Sequence, residues 1–214
     1  ISDYSEKGDV IIGRPSFSSV SDLKGRKISF EGVNSFSHIF VLKALEKAGI
    51  DEIDVRFKDI PAMDVLDALE KGIIDAGHTW DPVKTQALKK GYKILILAKD
   101  IPGIIVDVLA FHTQVIEKRP RDIQNIVTSL LEARDFIFSH RDEALEIMSR
   151  AEGMTREEME NGINAVRMLN LEENIVAMTH RNDTESIYHA FDMITDFYIT
   201  TGQLSEKQSL DAVV

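Results

Sequence analysis

Four polar residues close together in the sequence could bind a small anionic or polar group. They are Asn34, Ser35, Ser37 and His38. They follow the β-prone run Lys27–Phe30, and from Ser37 onward apolar residues recur at intervals of three and four, which predicts a helix. The start of a helix presents unpaired N–H groups and a partial positive charge, so this loop predicts a binding pocket. The alternative is an ordinary strand-to-helix loop whose serines only cap the helix.

A second polar loop holds the only tryptophan of the chain. Thr79 and Trp80 follow Ile73–His78, a predicted short strand, and precede a predicted helix over Pro82–Lys90. A tryptophan at the carboxyl edge of a sheet can stack on a flat ligand or form the wall of a pocket, and a threonine hydroxyl can hydrogen-bond the ligand. The alternative for Trp80 is packing beneath the loop. We expect Asp81 to cap the helix.

Two further residues could contribute to a site. Asp107 interrupts the apolar run Ile104–Phe111, a predicted strand, and a carboxylate there needs a partner or a ligand unless it faces solvent at the strand end. Tyr4 offers an aromatic ring and a hydroxyl close to the first residue, where the alternative is a frayed terminus.

Composition excludes several classes of function. The net charge is -11 with no basic stripe, which argues against a nucleic-acid partner. Zero cysteines exclude disulfides, thiolate zinc sites and a cysteine nucleophile. No two histidines lie at metal-ligand spacing, and no phosphate-binding loop or nucleophile-elbow motif occurs, so we predict neither a metal nor a cofactor. The sequence shows no transmembrane run and no signal peptide, although it starts at Ile1 and an upstream segment is expected.

The chain divides into two regions of different character. Residues 21–111 alternate predicted strands and helices, which indicates crossover units and a mainly parallel sheet. From Arg121 onward the periodicity predicts helices only. These helices need an apolar surface to cover, yet the sequence shows no second sheet, and the strand-like Val10–Ile12 supplies little.

Several stretches match the motifs of one family. Asp22–Phe30 reads DLKGRKISF and resembles the family's DLKGKKVG motif at the start of its second lobe. Gly32–Gly49 resembles its ligand-binding loop and helix, and Trp80–Pro82 its W-x-P loop. Weaker likenesses lie at Asp3–Asp9, Lys71–Ala76, Leu171–Asn174 and the final helix up to Gly202. The family is the extracytoplasmic solute-binding proteins of ABC importers, and the closest resemblance is to the group serving taurine, alkanesulfonates, nitrate and thiamine pyrimidine precursors.

The resemblance implies a periplasmic-binding-protein-like type II α/β fold, in which two lobes are joined by a hinge. Residues 21–111 would form lobe 2, a complete and mainly parallel α/β lobe. Residues 1–20 and 112–214 would form the remainder of lobe 1, mostly helical and with an incomplete sheet. The family begins with a βαβ run that builds the sheet of lobe 1, and this sequence lacks it. We therefore expect either a fragment of a longer protein or a partner chain that supplies the strands.

The resemblance also implies a function: non-catalytic capture of a small organic solute by lobe closure, with delivery to an ABC transporter permease. The solute would be a sulfonate, a carboxylate or a pyrimidine-like compound, bound in the periplasm or outside the cell, with or without a membrane anchor. The predicted ligand-binding residues are Asn34, Ser35, Ser37, His38, Thr79, Trp80, Asp107 and Tyr4. Two alternatives use the same fold. One is the sensor domain of a histidine kinase or cyclase, and the other is a pyrimidine-biosynthesis enzyme, which the lack of cysteine disfavours.

Overall fold

The computed structural model describes residues 1–212, so residues 213 and 214, which the sequence analysis assigns to lobe 1, lie outside the described residues. The strands are Asp3–Ser5 (β1), Val10–Gly13 (β2), Lys27–Phe30 (β3), Arg56–Asp59 (β4), Ala76–Thr79 (β5), Lys93–Leu97 (β6), Val106–Asp107 (β7) and Val166–Met168 (β8). The helices are Phe36–Lys47 (α1), Val65–Glu70 (α2), Val83–Lys89 (α3), Thr113–Lys118 (α4), Pro120–Ser139 (α5), Arg141–Glu152 (α6), Arg156–Ile163 (α7), Leu171–Ala177 (α8) and Ile187–Thr200 (α9).

A five-stranded sheet in the order β4-β3-β5-β2-β6 forms the core of the larger half. β3 pairs in parallel with β4 and β5, while β2 runs antiparallel to both β5 and β6. Four strands therefore share one direction, as the prediction of a mainly parallel α/β lobe requires, and β2 is the exception. Helices cover both faces, since one core cluster packs against α1 and the other against α2 and α3.

Strand β2 lies in the five-stranded sheet, whereas the sequence analysis grouped residues 1–20 with the other lobe. Val10, Ile11 and Ile12 are completely buried, with Ile11 facing the α1 side and the other two facing the α2 and α3 side. A run of consecutive apolar residues is what a strand covered on both faces needs, and a central position in the sheet provides that cover. The strand therefore belongs to the five-stranded sheet.

A second, three-stranded antiparallel sheet of order β7-β1-β8 lies in the other half. The expectation that the sequence holds no second sheet is therefore wrong, and so is the alternative of a frayed terminus for Tyr4. The prediction of helices only from Arg121 onward is also wrong at β8, because α7 ends at Ile163 and Arg167 lies on this strand. The predicted strand Ile104–Phe111 is reduced to the two residues of β7.

The chain crosses between the two sheets twice, and the crossings are hydrogen-bonded to each other. The N–H of Lys99 donates to the carbonyl of Glu6 at 2.8 Å, and the N–H of Ala98 donates to the carbonyl of Asp9 at 3.0 Å. Helix α9 then returns to the larger half, where Phe197 joins the core cluster beneath α1. The C-terminal helix thus packs on the five-stranded sheet, although it follows the elements of the smaller half.

The smaller half has an uncovered apolar surface. On α5 the side chains of Ile126, Val127 and Leu130 are exposed, and the helix has no buried residue along its whole length. A groove of about 380 Å³ runs between α5 and the three-stranded sheet and is lined by residues that include Leu109 and Leu169. The three-stranded sheet contributes one side of this groove, and the exposed apolar side chains of α5 remain uncovered by the described residues.

We predict that β2 is essential for the stability of the larger half. Ile11→Ala removes a fully buried side chain from the middle of the sheet, and we expect a loss of about 2–5 kcal/mol in the free energy of unfolding. The matched control is Ile53→Ala, at a site that is 92% exposed, where we expect a loss below about 0.5 kcal/mol. Urea unfolding measures both, and equal midpoints for the two variants would contradict the central position of β2.

Candidate functional site

The loop between β3 and α1 is held by its own hydrogen bonds. Ser35 is the N-cap of α1, where its Oγ accepts the N–H of His38 at 3.3 Å and donates to the carbonyl of Glu31. Asn34 has a φ of 65°, a left-handed conformation that asparagine tolerates better than most residues. Its carbonyl accepts the hydroxyl of Tyr198 from α9 at 2.9 Å. The capping alternative for the serines is therefore confirmed for Ser35.

His38 points away from solvent, into an aromatic cluster. Its ring stacks on Phe30 with 4.0 Å between ring centroids, and Phe57 and Phe197 meet it edge-on. Its Nδ1 accepts the N–H of Asn34 at 3.0 Å, while its buried Nε2 has no hydrogen-bond partner among the described residues. Burial lowers the pKa of the imidazole, because the charged form loses its hydration. His38 therefore supports the loop between β3 and α1 from the protein interior.

A buried chain of side chains connects α1, β5 and the first crossing. Ser37 Oγ lies 2.7 Å from His78 Nδ1, and His78 Nε2 lies 2.9 Å from Asp9 Oδ1. Ser37 Oγ accepts the N–H of Glu31 and donates its own proton to Nδ1 of His78. The single ring proton of a neutral His78 is therefore assigned to Nε2, which donates to Asp9. The order Ser-His-Asp is that of a hydrolase triad, but both Ser37 and His78 are completely buried. This chain of hydrogen bonds therefore fixes the loop, and the hydroxyl of Ser37 is not exposed to a substrate.

The loop after β5 has two buried polar residues and one partly exposed ring. Thr79 is completely buried and its hydroxyl donates to the carbonyl of Ala62 at 2.7 Å. Asp81 forms an ion pair with Lys84 at 2.5 Å and accepts the N–H of Thr85 in the first turn of α3 at 3.2 Å, but the N-cap residue of α3 is Pro82 and not the predicted Asp81. Trp80 is half-buried, and its ring is the part of this loop that remains available to a ligand.

Trp80 and Phe36 form an aromatic wall, a name that we use for these two rings. Their centroids are 6.0 Å apart with an angle of 39° between the planes, and Phe36 is 48% exposed. Both rings rest on His78, at 5.8 Å for Phe36 and 5.6 Å for Trp80. Phe36 is also the first residue of α1, and within residues 1–212 no acceptor is found for its N–H or for that of Ser37. Because Ser37 is completely buried, the accessible free N–H next to the wall is that of Phe36.

The two polar loops thus meet, as the sequence analysis expected, because β3 and β5 are parallel neighbours whose carboxyl ends share an edge. Of the predicted residues, Asn34, Ser35 and Trp80 keep partly exposed side chains there, while Ser37, His38 and Thr79 are buried behind them. The sequence analysis missed Phe36. The signal that could have found it is an aromatic residue between two polar ones at the first position of the helix.

The structure does not bring Tyr4 to the wall. Tyr4 is 5% exposed, packs against Leu169 and Ala177, and carries the guanidinium of Arg167 above its ring. Its hydroxyl donates to the carbonyl of Glu185 at 3.0 Å. Tyr4 lies between Val106 of β7 and Arg167 of β8, so strand pairing places its ring in the core of the smaller half. We therefore leave Tyr4 out of the proposed site.

Asp107 is exposed and lies opposite Asp3 across the β1–β7 pair. Burial and the negative charge of Asp107 raise the pKa of Asp3 to about 6, and hydrogen bonding between the two carboxyl groups adds to the effect. Partial burial of the carboxyl group and the charge of Asp9 raise the pKa of Asp107 as well. The structure thus pairs Asp107 with another carboxylate, and its role toward a ligand stays a prediction.

Two further properties concern the whole described region. Within residues 1–212, no group of three or more histidine, aspartate or glutamate side chains has the arrangement that would hold a metal ion. In the same residues, every helix falls short of the length and apolarity needed to cross a bilayer.

The sequence profile of the NMT1/THI5 like family matches residues 10–144, which include both loops of the site and the whole five-stranded sheet. The chain belongs to the NMT1/THI5-like family. This NMT1/THI5-like chain is 29% identical, over 136 residues, to an Escherichia coli (strain K12) protein whose name describes aliphatic-sulfonate binding. The match covers 63% of this chain and 42% of that protein. The chain spans less than two-thirds of the length of the curated relatives it matches.

The solved structures show that the NMT1/THI5-like fold here is that of periplasmic binding proteins. The periplasmic aliphatic sulphonate binding protein SsuA from Escherichia coli superposes with a TM-score of 0.73 at 21% identity, covering 98% of this chain and 69% of SsuA. The desulfurization enzyme DszB superposes with a TM-score of 0.66 at 13% identity, covering 100% of this chain and 74% of DszB. The predicted type II α/β fold is therefore confirmed, and the fold is shared by binding proteins and an enzyme.

We predict that Asp3 makes the protein less stable as the pH rises. Its pKa of about 6 lies above the value near 4 of an unfolded aspartate, so between these values the native state binds more protons than the unfolded state. The contribution of Asp3 to the free energy of unfolding is therefore lost as the pH rises from about 4 to 6.

Asp3→Asn, which cannot ionise, tests this prediction. The melting temperature of the variant minus that of the wild type is expected to increase from pH 4 to pH 7, and thermal melts across that range measure it. In an Asp107→Asn background the increase should be smaller, because the charge of Asp107 is one cause of the raised pKa. A difference that stays constant with pH would contradict the prediction.

Proposed function

We propose that this chain is part of an extracytoplasmic binding protein that captures a small organic sulfonate without catalysis and delivers it to the permease of an ABC importer. The observation that carries the proposal is the adjacency of the aromatic wall and the free N–H of Phe36 at the start of α1. An organic sulfonate has one anionic group and one apolar group, which matches these two features. The name of the Escherichia coli relative and the periplasmic location of SsuA support the ligand class and the compartment.

The sulfonate group binds at the start of α1 in this proposal. The N–H of Phe36 is free to donate at an exposed residue, and the helix dipole places a partial positive charge at the same point. Asn34 and Ser35 lie directly before the helix and remain partly exposed, so their side chains are placed at the edge of the same site. Each oxygen of a sulfonate group can accept hydrogen bonds, which suits a site where several donors lie close together.

Lobe closure is the proposed mechanism of capture. We propose lobe 2 as residues 21–111 with β2 added, and lobe 1 as the remaining residues. The site lies beside the crossings, because His78 supports the wall and bonds to Asp9 of the first crossing. A ligand held at the wall would be enclosed when lobe 1 swings toward lobe 2, and the closed state would then be favoured.

Catalysis is the alternative, since DszB shares the fold. Two observations favour binding. The sequence has no cysteine, and the single Ser-His-Asp chain that we describe has its serine hydroxyl completely buried and hydrogen-bonded at 2.7 Å to His78. A buried nucleophile cannot reach a substrate without unfolding of the loop, so this Ser-His-Asp arrangement is better suited to holding α1 in place.

We further propose that additional strands and helices cover the open face of α5 and complete lobe 1. The support is the exposed apolar row of Ile126, Val127 and Leu130 and the groove beside it, together with the part of SsuA that this chain does not match. An apolar face of this kind is normally covered in a folded protein. The occupant that we propose is an α/β segment of the same polypeptide, and the competing source is a partner chain.

The ligand proposal predicts that sulfonates alter the fluorescence of Trp80, the single tryptophan of the chain. Hexanesulfonate should give a saturable change, and hexanol should give none, because the N–H groups at the start of α1 need an anion. Fluorescence titration of the full chain measures both. Equal responses to hexanesulfonate and hexanol would show that the anion site is not used.

The proposal that a further segment covers α5 predicts a substitution that is tolerated without this segment and destabilises the protein when the segment is present. Leu130→Lys places a charge on the exposed face, and in the chain described here we expect a change below about 0.5 kcal/mol in the free energy of unfolding. In a longer protein that carries the covering segment, we expect a loss of about 2–4 kcal/mol, because the charge would be buried without a partner.

Val33→Lys is the matched control for this experiment, since Val33 is 65% exposed and lies in the loop before α1. It should be tolerated in both proteins, as judged by chemical unfolding. If Leu130→Lys is equally harmless in the longer protein, the face is not covered by that segment.

A further inference from the structure

We infer that the ligand of the site is an aromatic sulfonate with no positively charged group, and that Phe36 sets this preference. The inference rests on the proposed function and narrows its ligand class. It comes from two observations on the described residues: the shape of the aromatic wall and the state of every carboxylate next to it.

The wall offers a surface for a flat ring. Phe36 and Trp80 lie at a 39° angle with 6.0 Å between centroids, and a flat ligand ring can pack on an exposed ring in an edge-to-face or offset-stacked arrangement. Phe36 is 48% exposed, so its ring is accessible to a ligand. The exposed ring is directly next to the proposed sulfonate position, because both belong to the first residues of α1.

The wall is also rigid. The imidazole of His78 contacts both rings of the wall, and Phe40 packs against the same imidazole with 5.2 Å between ring centroids. The imidazole cannot rotate freely, because Ser37 and Asp9 hold its two nitrogens. A rigid aromatic surface binds a flat ring with little loss of side-chain entropy, whereas a flexible alkyl chain loses its own freedom on binding.

The carboxylates on the elements that carry the wall already have partners. Asp81 is paired with Lys84 at 2.5 Å, and Asp9 is bonded to His78 at 2.9 Å. Glu31 accepts the N–H of Ala62 at 2.9 Å. An ammonium group beside the wall would therefore lose its hydration without gaining an uncommitted counter-ion, which disfavours aminoalkyl sulfonates. Asp59, an exposed carboxylate at the end of β4, accepts the N–H of Gly32 at 2.9 Å, and Asp3 and Asp107 lie on the three-stranded sheet.

The test compares four ligands with the full chain by isothermal calorimetry: benzenesulfonate, naphthalene-2-sulfonate, ethanesulfonate and 2-aminoethanesulfonate. We expect both arenesulfonates to bind more tightly than ethanesulfonate, and 2-aminoethanesulfonate to bind most weakly. Phe36→Leu keeps an apolar side chain but removes the ring, and it should weaken arenesulfonate binding about tenfold while changing ethanesulfonate binding less than about twofold. Phe36→Tyr should restore the arenesulfonate affinity.

Phe138→Ala is the matched control, because Phe138 is 55% exposed on α5 of the smaller half. It should leave all four affinities unchanged, and melting temperatures verify that each variant is folded. The inference is overturned if 2-aminoethanesulfonate binds at least as tightly as the arenesulfonates, above all if Asp3→Asn or Asp107→Asn abolishes that binding. Binding of none of the four sulfonates would overturn the proposed function itself, and the inference with it.

Discussion

The arrangement of the site depends on one buried chain of hydrogen bonds, from Ser37 through His78 to Asp9. Each member comes from a different part of the fold: the first turn of α1, the central strand β5, and the crossing before β2. Leaving any one of these polar groups unpaired in the interior would cost about 1–3 kcal/mol. These hydrogen bonds therefore set where α1 begins relative to the sheet, and they thereby set the position of Phe36.

The same contacts explain why several polar residues near the site are unsuited to direct ligand contact. Ser37, His38 and Thr79 all satisfy backbone or side-chain groups of the loops themselves. A loop whose internal donors and acceptors are paired has few ways to rearrange, so it can present backbone N–H groups in a fixed direction. Affinity in such a site comes from preorganisation, with a small number of groups in contact with the ligand.

Local features of the fold could be predicted from the sequence, and features that depend on distant partners could not. The start of α1 and its cap at Ser35 follow from residues within one turn of each other. Strands β1 and β8 have three residues each and exist because Tyr4 pairs with Arg167 across more than 160 positions of sequence. The exposure of Phe36 is of the same kind, since periodicity marks apolar positions and cannot tell which of them the fold leaves uncovered.

The return of α9 to the larger half gives the molecule a third link between its two sheets, in addition to the two crossings. Tyr198 of this helix holds the carbonyl of Asn34, while Glu185 just before the helix holds the hydroxyl of Tyr4 on the other side. Three links hold the two halves together more firmly than the two crossings would alone. Because Glu185 is bonded to the smaller half and Tyr198 to the larger half, any movement of one half against the other would strain the stretch of chain between these two residues.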